Sequence, residues 1–130
     1  MKKKLSDQLS EKVIINSVLK KLNFNKKGTF NFENDAAYLS LAKHYKTIVT
    51  TDSITENIDF FYNDPPESVA QKLVCVNLSD LSAMGSAPVS YTLSLSLNAK
   101  ININWLKRFT NKLFKLQKQY NFYLLGGDIS

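Results

Sequence analysis

Residues 89–97 read V-S-Y-T-L-S-L-S-L. Val89, Tyr91, Leu93, Leu95 and Leu97 fall on one face of an extended chain; Ser90, Thr92, Ser94 and Ser96 fall on the other. A period of two predicts a β-strand with one apolar face. The serine face is small and polar, suited to solvent, a cavity or a partner sheet. Downstream the period changes. Asn102 or Asn104 can cap a helix to about Tyr120, with Trp105, Phe109, Leu113 and Leu116 on one stripe and Lys107, Lys112, Lys115 and Lys118 elsewhere. A short strand, 122–125, then runs into Gly126-Gly127-Asp128. Upstream, a helix is expected from Pro66 towards Ala83, with Asp64 as its cap, Gly85 at its end and Pro88 beyond.

Further out, 36–41 (A-A-Y-L-S-L) and 46–54 (K-T-I-V-T-T-D-S-I) read as two strands joined by a turn around 43–45, which holds His44. Residues 6–22 read as an amphipathic helix capped by Ser6, with Leu9, Val13, Ile14, Val18 and Leu22 near helical spacing. A polar connector containing Gly28 follows. Residues 1–29 are thus an N-terminal helix and connector, and 30–130 the body of one domain. The order α-β-β-α-β-α-β predicts an α/β (α+β) layer structure, with a mixed or antiparallel sheet and helices on one face.

A chain of 130 residues supports one domain with a real core. Hydrophobic residues at 44% and charged residues at 22% fit a soluble globular protein. No apolar run approaches the roughly 20 residues of a membrane span. The basic start M-K-K-K-L-S-D lacks the apolar stretch of a secretory signal, so a cytoplasmic location is expected, with no membrane partner. The net charge is +6, yet Arg108 is the one arginine among 17 basic residues. Nucleic-acid surfaces favour arginine for bidentate contacts, and these lysines are spread along the chain, so no nucleic-acid partner is expected. A basic surface can still attract anionic nucleotides. Cys75 is alone, which excludes an internal disulfide; in L-V-C-V it reads as a small buried hydrophobe.

Four aspartates stand apart from the other acids. They are Asp35 in N-D-A-A-Y-L, Asp52 in T-T-D-S-I-T, Asp80 in V-N-L-S-D-L-S-A-M-G and Asp128 in L-L-G-G-D-I-S. Each sits beside an apolar segment at the expected end of an element. Asp35 alone could simply open a turn. Asp52 lies in a β-prone run where acids are depleted. Asp80 shares a helical face with Asn77, three residues before it. Carboxylates gathered by a fold repel one another unless a cation intervenes, and hard divalent cations prefer oxygen ligands. The four together predict a Mg²⁺ site, and Mg²⁺ usually arrives with phosphates. Gly126-Gly127 would let backbone N–H groups approach such a phosphate closely.

These residues carry a resemblance to the N-terminal domain of thiamine-monophosphate kinases, in the superfamily of aminoimidazole ribonucleotide synthetase and selenophosphate synthetase. V-N-L-S-D-L-S-A-M-G-S-A-P at 76–88 resembles the family's N-L-S-D-L-A-A-M-G-A-x-P. T-T-D-S-I-T-E-N-I-D-F at 50–60 resembles S-T-D-x-L-V-E-G-V-H-F, and N-D-A-A-Y-L at 34–39 resembles G-D-D-A-A-x-L. L-G-G-D-I-S at 125–130 resembles G-G-D-T followed by Ser or Thr. The resemblance implies transfer of the ATP γ-phosphate to thiamine monophosphate. It places Asp35, Thr51, Asp52, Asp80 and Asp128 around Mg²⁺, with Thr50 joining through its backbone oxygen. It sets Gly127 and Asp128 against ATP. Phosphoryl transfer needs positioning and charge neutralisation more than covalent chemistry, so no nucleophilic side chain is expected.

Four positions depart from the family pattern. Asn34 stands for the first aspartate of G-D-D and Glu33 for its glycine. Asp59 stands for the histidine of V-H-F, a substrate contact in the family. Asn57 replaces a turn glycine and still tolerates a left-handed backbone. The family also carries a second, C-terminal domain, whereas this sequence stops after G-G-D-I-S; these residues alone are expected to be inactive. The family's N-terminal domains pair across a two-fold axis, which implies a homodimer. Two alternatives stay open: another kinase or synthetase of the superfamily, and a non-catalytic dimerisation or binding module.

Overall fold

A parallel β-α-β unit organises the protein. The computed structural model describes residues 10–98 and 101–130. Strand β1 (Ser90–Leu95), helix α3 (Ile103–Tyr120) and strand β2 (Tyr123–Ile129) follow one another, and β1 pairs with β2 in parallel. Parallel neighbours need a crossover connection, which α3 supplies. The register runs Ser90↔Tyr123 and Tyr91↔Leu124, then slips one residue to Thr92↔Gly126 and continues to Leu95↔Ile129. Leu125 is the extra residue of this bulge.

The strand predicted from alternation is present. Leu93 is buried, and Tyr91, Leu95 and Leu97 pack against the core. Helix α3 is equally faithful to its pattern. Asn102 Oδ1 accepts from the Trp105 N–H at 3.0 Å, capping the helix as expected. Leu106, Phe109, Leu113 and Leu116 are buried, while Trp105 stacks on Phe109 at its edge.

Helix α2 (Pro66–Ala83) packs across α3. Its buried residues Val69, Ala70 and Val74 join those of α3, and an Arg108–Glu67 fork ties the two helices at 2.8 and 2.7 Å. The helix ends as predicted at Gly85, whose φ is 66°. The Ser86 N–H bonds Leu81 O and the Gly85 N–H bonds Ser82 O, which satisfies carbonyls the helix leaves free. Asp64 does not cap the start. Its carboxylate accepts from the Phe61 N–H at 2.8 Å and closes the preceding turn, so the helix begins on Pro65 without a side-chain cap. Cys75 is exposed rather than buried. In a helix the neighbours of an apolar run point in different directions, and Cys75 falls on the outward face.

The N-terminal helix is α1 (Glu11–Ile14), continuing through a π-helical stretch (Ile15–Leu19) and a 3₁₀ turn (Lys20–Asn23). Ile14, Val18, Leu19 and Leu22 bury against the core despite the change of winding. Gln117 of α3 anchors this end by donating to Leu22 O at 2.7 Å. The predicted cap Ser6 and Leu9 lie outside the described residues.

Three further expectations are corrected. The two-stranded sheet is parallel, not antiparallel or mixed. The segments 36–41 and 46–54 form no strands. Tyr38, Leu41 and Val49 on them, and Tyr45 between them, are 51%, 55%, 85% and 82% exposed, so a hairpin here would have no buried face to hold it. The turn between them does form, with His44 in it. Finally, the last strand does not stop at Leu125: Gly126, Gly127 and Asp128 are part of β2. Glycine weakens a strand on propensity alone, but Gly127 is required by pairing. A Cβ there would lie 1.9 Å from Leu93 O.

Candidate functional site

The sheet opens onto a cleft of about 580 Å³. Asp128 and Gly127 of β2 line one side, with Thr92 of β1 beside them. Asp35 and Asn34 come from the segment that follows the connector, and Glu11 and Glu33 also face the cleft. The connector is held against the body by a short approach. The Tyr38 N–H donates to Gly28 O at 3.0 Å, and a Cβ on Gly28 would lie 2.0 Å from Tyr38 O. Only glycine fits there, so Gly28 fixes where the Asp35 segment leaves the N-terminal helix. Glu33 is paired with Lys20 at 3.2 Å. Asp35 and Asp128 are both exposed to the cleft, which carries a surplus of carboxylates.

Asp52 and Asp80 form a second group. Thr50 donates its hydroxyl to Asp80 Oδ2 at 2.9 Å. Asn77, one turn earlier on α2, accepts from the Asp52 N–H at 2.9 Å and donates to Asp52 O at 3.1 Å. The T-T-D segment at 50–52 thus lies along the last turns of α2, and both carboxylates are exposed there. The asparagine of V-N-L-S-D was placed beside Asp80 by its spacing but was given no role of its own. Its shared face with Asp80 was legible, but its bonds to a segment 25 residues away were not.

The expected gathering of all four aspartates is not seen in this single chain. Among the described residues no place brings together three or more acidic, histidine or cysteine side chains positioned for a metal. Asp35 and Asp128 line one cleft, while the segment carrying Asp52 is tied beside Asp80 through Thr50 and Asn77. Both places offer donors of the kind Mg²⁺ takes. That ion is commonly held by one or two carboxylates, with phosphate oxygens and water completing the shell. All the donors are hard oxygens, and no thiolate or imidazole stands among them.

Asp59 and Asn57 belong to one turn. Asn57 has φ 67°, the left-handed conformation its replacement of glycine demanded. Asp59 accepts from the Thr55 N–H through Oδ2 at 2.8 Å, and Lys72 Nζ donates to the Asp59 carbonyl. Asp59 is therefore engaged in fixing the 55–60 turn. A cation lies close by on α2. No described helix is long and apolar enough to cross a membrane.

Comparison with known proteins gives consistent results. Residues 33–130 match the family described as AIR synthase related protein, N-terminal domain. Thiamine-monophosphate kinase from Buchnera aphidicola (subspecies Acyrthosiphon pisum) is 41% identical over 95 residues, which cover 73% of this chain and 29% of that protein. The enzyme of the same name from Haemophilus influenzae gives the same identity and coverage. A crystal structure of thiamine monophosphate kinase from Aquifex aeolicus superposes with a TM-score of 0.57 at 30% identity, covering 59% of this chain and 26% of that one. The matched region spans less than a third of each relative's length.

Proposed function

The chain belongs to the AIR synthase related protein, N-terminal domain family, and from that membership we propose that it is the metal- and nucleotide-binding part of an ATP-dependent kinase that converts thiamine monophosphate to thiamine diphosphate. Relatives at 41% identity bear that enzyme's name. The observation that carries the reading is the acidic cleft beside Gly127. A polyphosphate can approach Asp35 and Asp128 only if cations stand between them, as Mg²⁺·ATP provides.

In this reading Asp35, Asp52, Asp80 and Asp128 are the metal-binding carboxylates. Thr51 and the Thr50 backbone complete the T-T-D contribution. Gly127 and Asp128 meet the nucleotide. Mg²⁺, when bound, would neutralise the phosphate oxygens and hold them for in-line transfer. The protein's own task is to fix the carboxylates before the nucleotide arrives. Asp59 is proposed to face the phosphate-bearing substrate, with a cation between the two. A homodimer is proposed as well. Tyr38, Tyr45, Val49, Ile58 and Phe61 stand exposed on 36–62, an apolar surface that a second copy would cover. A cytoplasmic setting accords with soluble, charged substrates.

The test uses a chimaera in which these residues replace the matching part of the Haemophilus influenzae enzyme. It should form thiamine diphosphate from ATP and thiamine monophosphate, and lose that activity in Asp52→Asn and Asp80→Asn. The 130-residue chain alone should show no turnover. A chimaera whose activity survives both substitutions would refute the assignment of these carboxylates.

A further inference from the structure

We propose that Asn77 is a positioning residue for the metal site, holding the backbone of Asp52 against α2. The inference rests on the reading of Asp52 and Asp80 as metal-binding carboxylates.

A primary amide offers two N–H donors and one carbonyl acceptor. Asn77 uses all of them. Nδ2 donates to Leu73 O at 3.0 Å and to Asp52 O at 3.1 Å. Oδ1 accepts from the Asp52 N–H at 2.9 Å. The bond to Leu73 lies within α2, one turn back, so the helix sets the orientation of the amide. The other two bonds take both backbone groups of a single residue, as a neighbouring strand does in a hydrogen-bonded pair. Segment 46–54 has no strand partner. The side-chain amide of Asn77 stands in for one at the residue where position matters most.

The second attachment shows why this arrangement bears on the site. Thr50 Oγ1 donates to Asp80 Oδ2 at 2.9 Å. Asn77 and Asp80 are adjacent on one helical face, and they grip Asp52 and Thr50 respectively. The segment is pinned at two points, and Asp52 is pinned through its main chain, which leaves its carboxylate unspent. Other residue types cannot reproduce the contact. Aspartate lacks the donor, leucine has neither group, and glutamine places its amide one methylene further out. Asn77 touches neither metal nor substrate in this scheme. It acts through Asp52, as outer-shell partners act through metal ligands.

The experiment measures Mn²⁺ binding by the purified chain, from the electron paramagnetic resonance signal of the free ion. Mn²⁺ alone is the probe, because it favours the same oxygen ligands as Mg²⁺. Asn77→Ala and Asn77→Leu are compared with Asp52→Asn. Asn102→Ala serves as a control that removes a helix cap far from the two carboxylates in sequence. Amide hydrogen exchange at Asp52 is followed in parallel. The expected result is weaker Mn²⁺ binding in both Asn77 variants, by about 10-fold or more, with faster exchange at the Asp52 amide. Asn102→Ala should melt earlier yet keep its Mn²⁺ affinity. A folded Asn77→Leu that binds Mn²⁺ like the parent, while Asp52→Asn does not, would overturn the positioning role and leave the metal reading standing. No saturable binding by the parent, or none lost in Asp52→Asn, would overturn the metal reading and this inference together. If both Asn77 variants lose the fold, or lose affinity only as far as Asn102→Ala does, the residue is structural and the proposal fails.

Discussion

Replacing Gly127 by alanine should break the far half of the β1–β2 pairing, whereas the same change at Gly126 should be tolerated. A Cβ at residue 127 would lie 1.9 Å from Leu93 O, 2.7 Å from Leu93 C and 2.9 Å from Leu93 N. All three are backbone atoms, which cannot swing aside as a side chain would. At residue 126 the nearest atom is the Ala37 Cβ, 4.0 Å away, an ordinary contact. Relief at 127 requires β2 to move off β1 from Leu93↔Gly127 onward, which strands the pairs at Ser94 and Leu95. Overpacking of this kind costs about 1–3 kcal/mol. Freeing part of Leu93, now 8% exposed, adds about 1 kcal/mol. The total is about 3 kcal/mol, which for a domain of this size lowers Tm by roughly 10 °C. Thermal melts followed by circular dichroism on the two variants decide the matter. The Gly126-Gly127 pair also invites a different explanation, in which the missing side chain makes room for phosphate. On that explanation Gly127→Ala would fold normally and lose only nucleotide affinity. Melting of Gly127→Ala within about 2 °C of Gly126→Ala would refute the packing argument.

Two further outcomes are expected. The Tyr91 hydroxyl is buried with no hydrogen-bond partner among the described residues, and burial pushes its pKa well above the ordinary value, so Tyr91→Phe should leave stability unchanged or raise it by about 1 kcal/mol in urea titration; a loss of that size would show that the hydroxyl has a partner in solution. The Arg108 fork holds the Glu67 carboxyl below its usual value of 4.5, so its contribution to stability is present above that pH and is lost as pH falls through the lowered folded value. Glu67→Gln should therefore flatten the acid side of the stability–pH curve, and an unchanged curve would show the fork to be inert.

The elements built on strong local patterns were legible before any coordinates. The alternation at 89–97, the cap at Asn102 or Asn104 and the glycine stop at Gly85 are local signals; the structure forms a strand over 90–95, caps at Asn102 and stops at Gly85. What failed depends on partners remote in sequence. Residues 46–54 have strand-like composition but find nothing to pair with. Gly126 and Gly127 look like a turn, and only the approach of Leu93 shows why a strand needs a glycine at 127. The sheet was expected to be mixed or antiparallel, and the crossover through α3 makes its two strands parallel instead. Each aspartate proposed for the site was singled out by its motif. Their division into Asp35 with Asp128 and Asp52 with Asp80 was not legible, because it is set by Gly28 under Tyr38 and by Asn77 reaching Asp52. Asp59 was read as a substrate contact by position, and its bond to the Thr55 N–H gives it a task in its own turn as well.

The central claim is that this chain binds nucleotide phosphates through metal held by its aspartates. Calorimetric titration of ATP into the purified chain, in Mg²⁺ and again in excess chelator, tests it most directly. The account predicts saturable binding in Mg²⁺ that disappears with chelator and weakens about 10-fold or more in Asp128→Asn. Equal binding with and without Mg²⁺, or a folded chain that takes up no ATP in Mg²⁺, would contradict it.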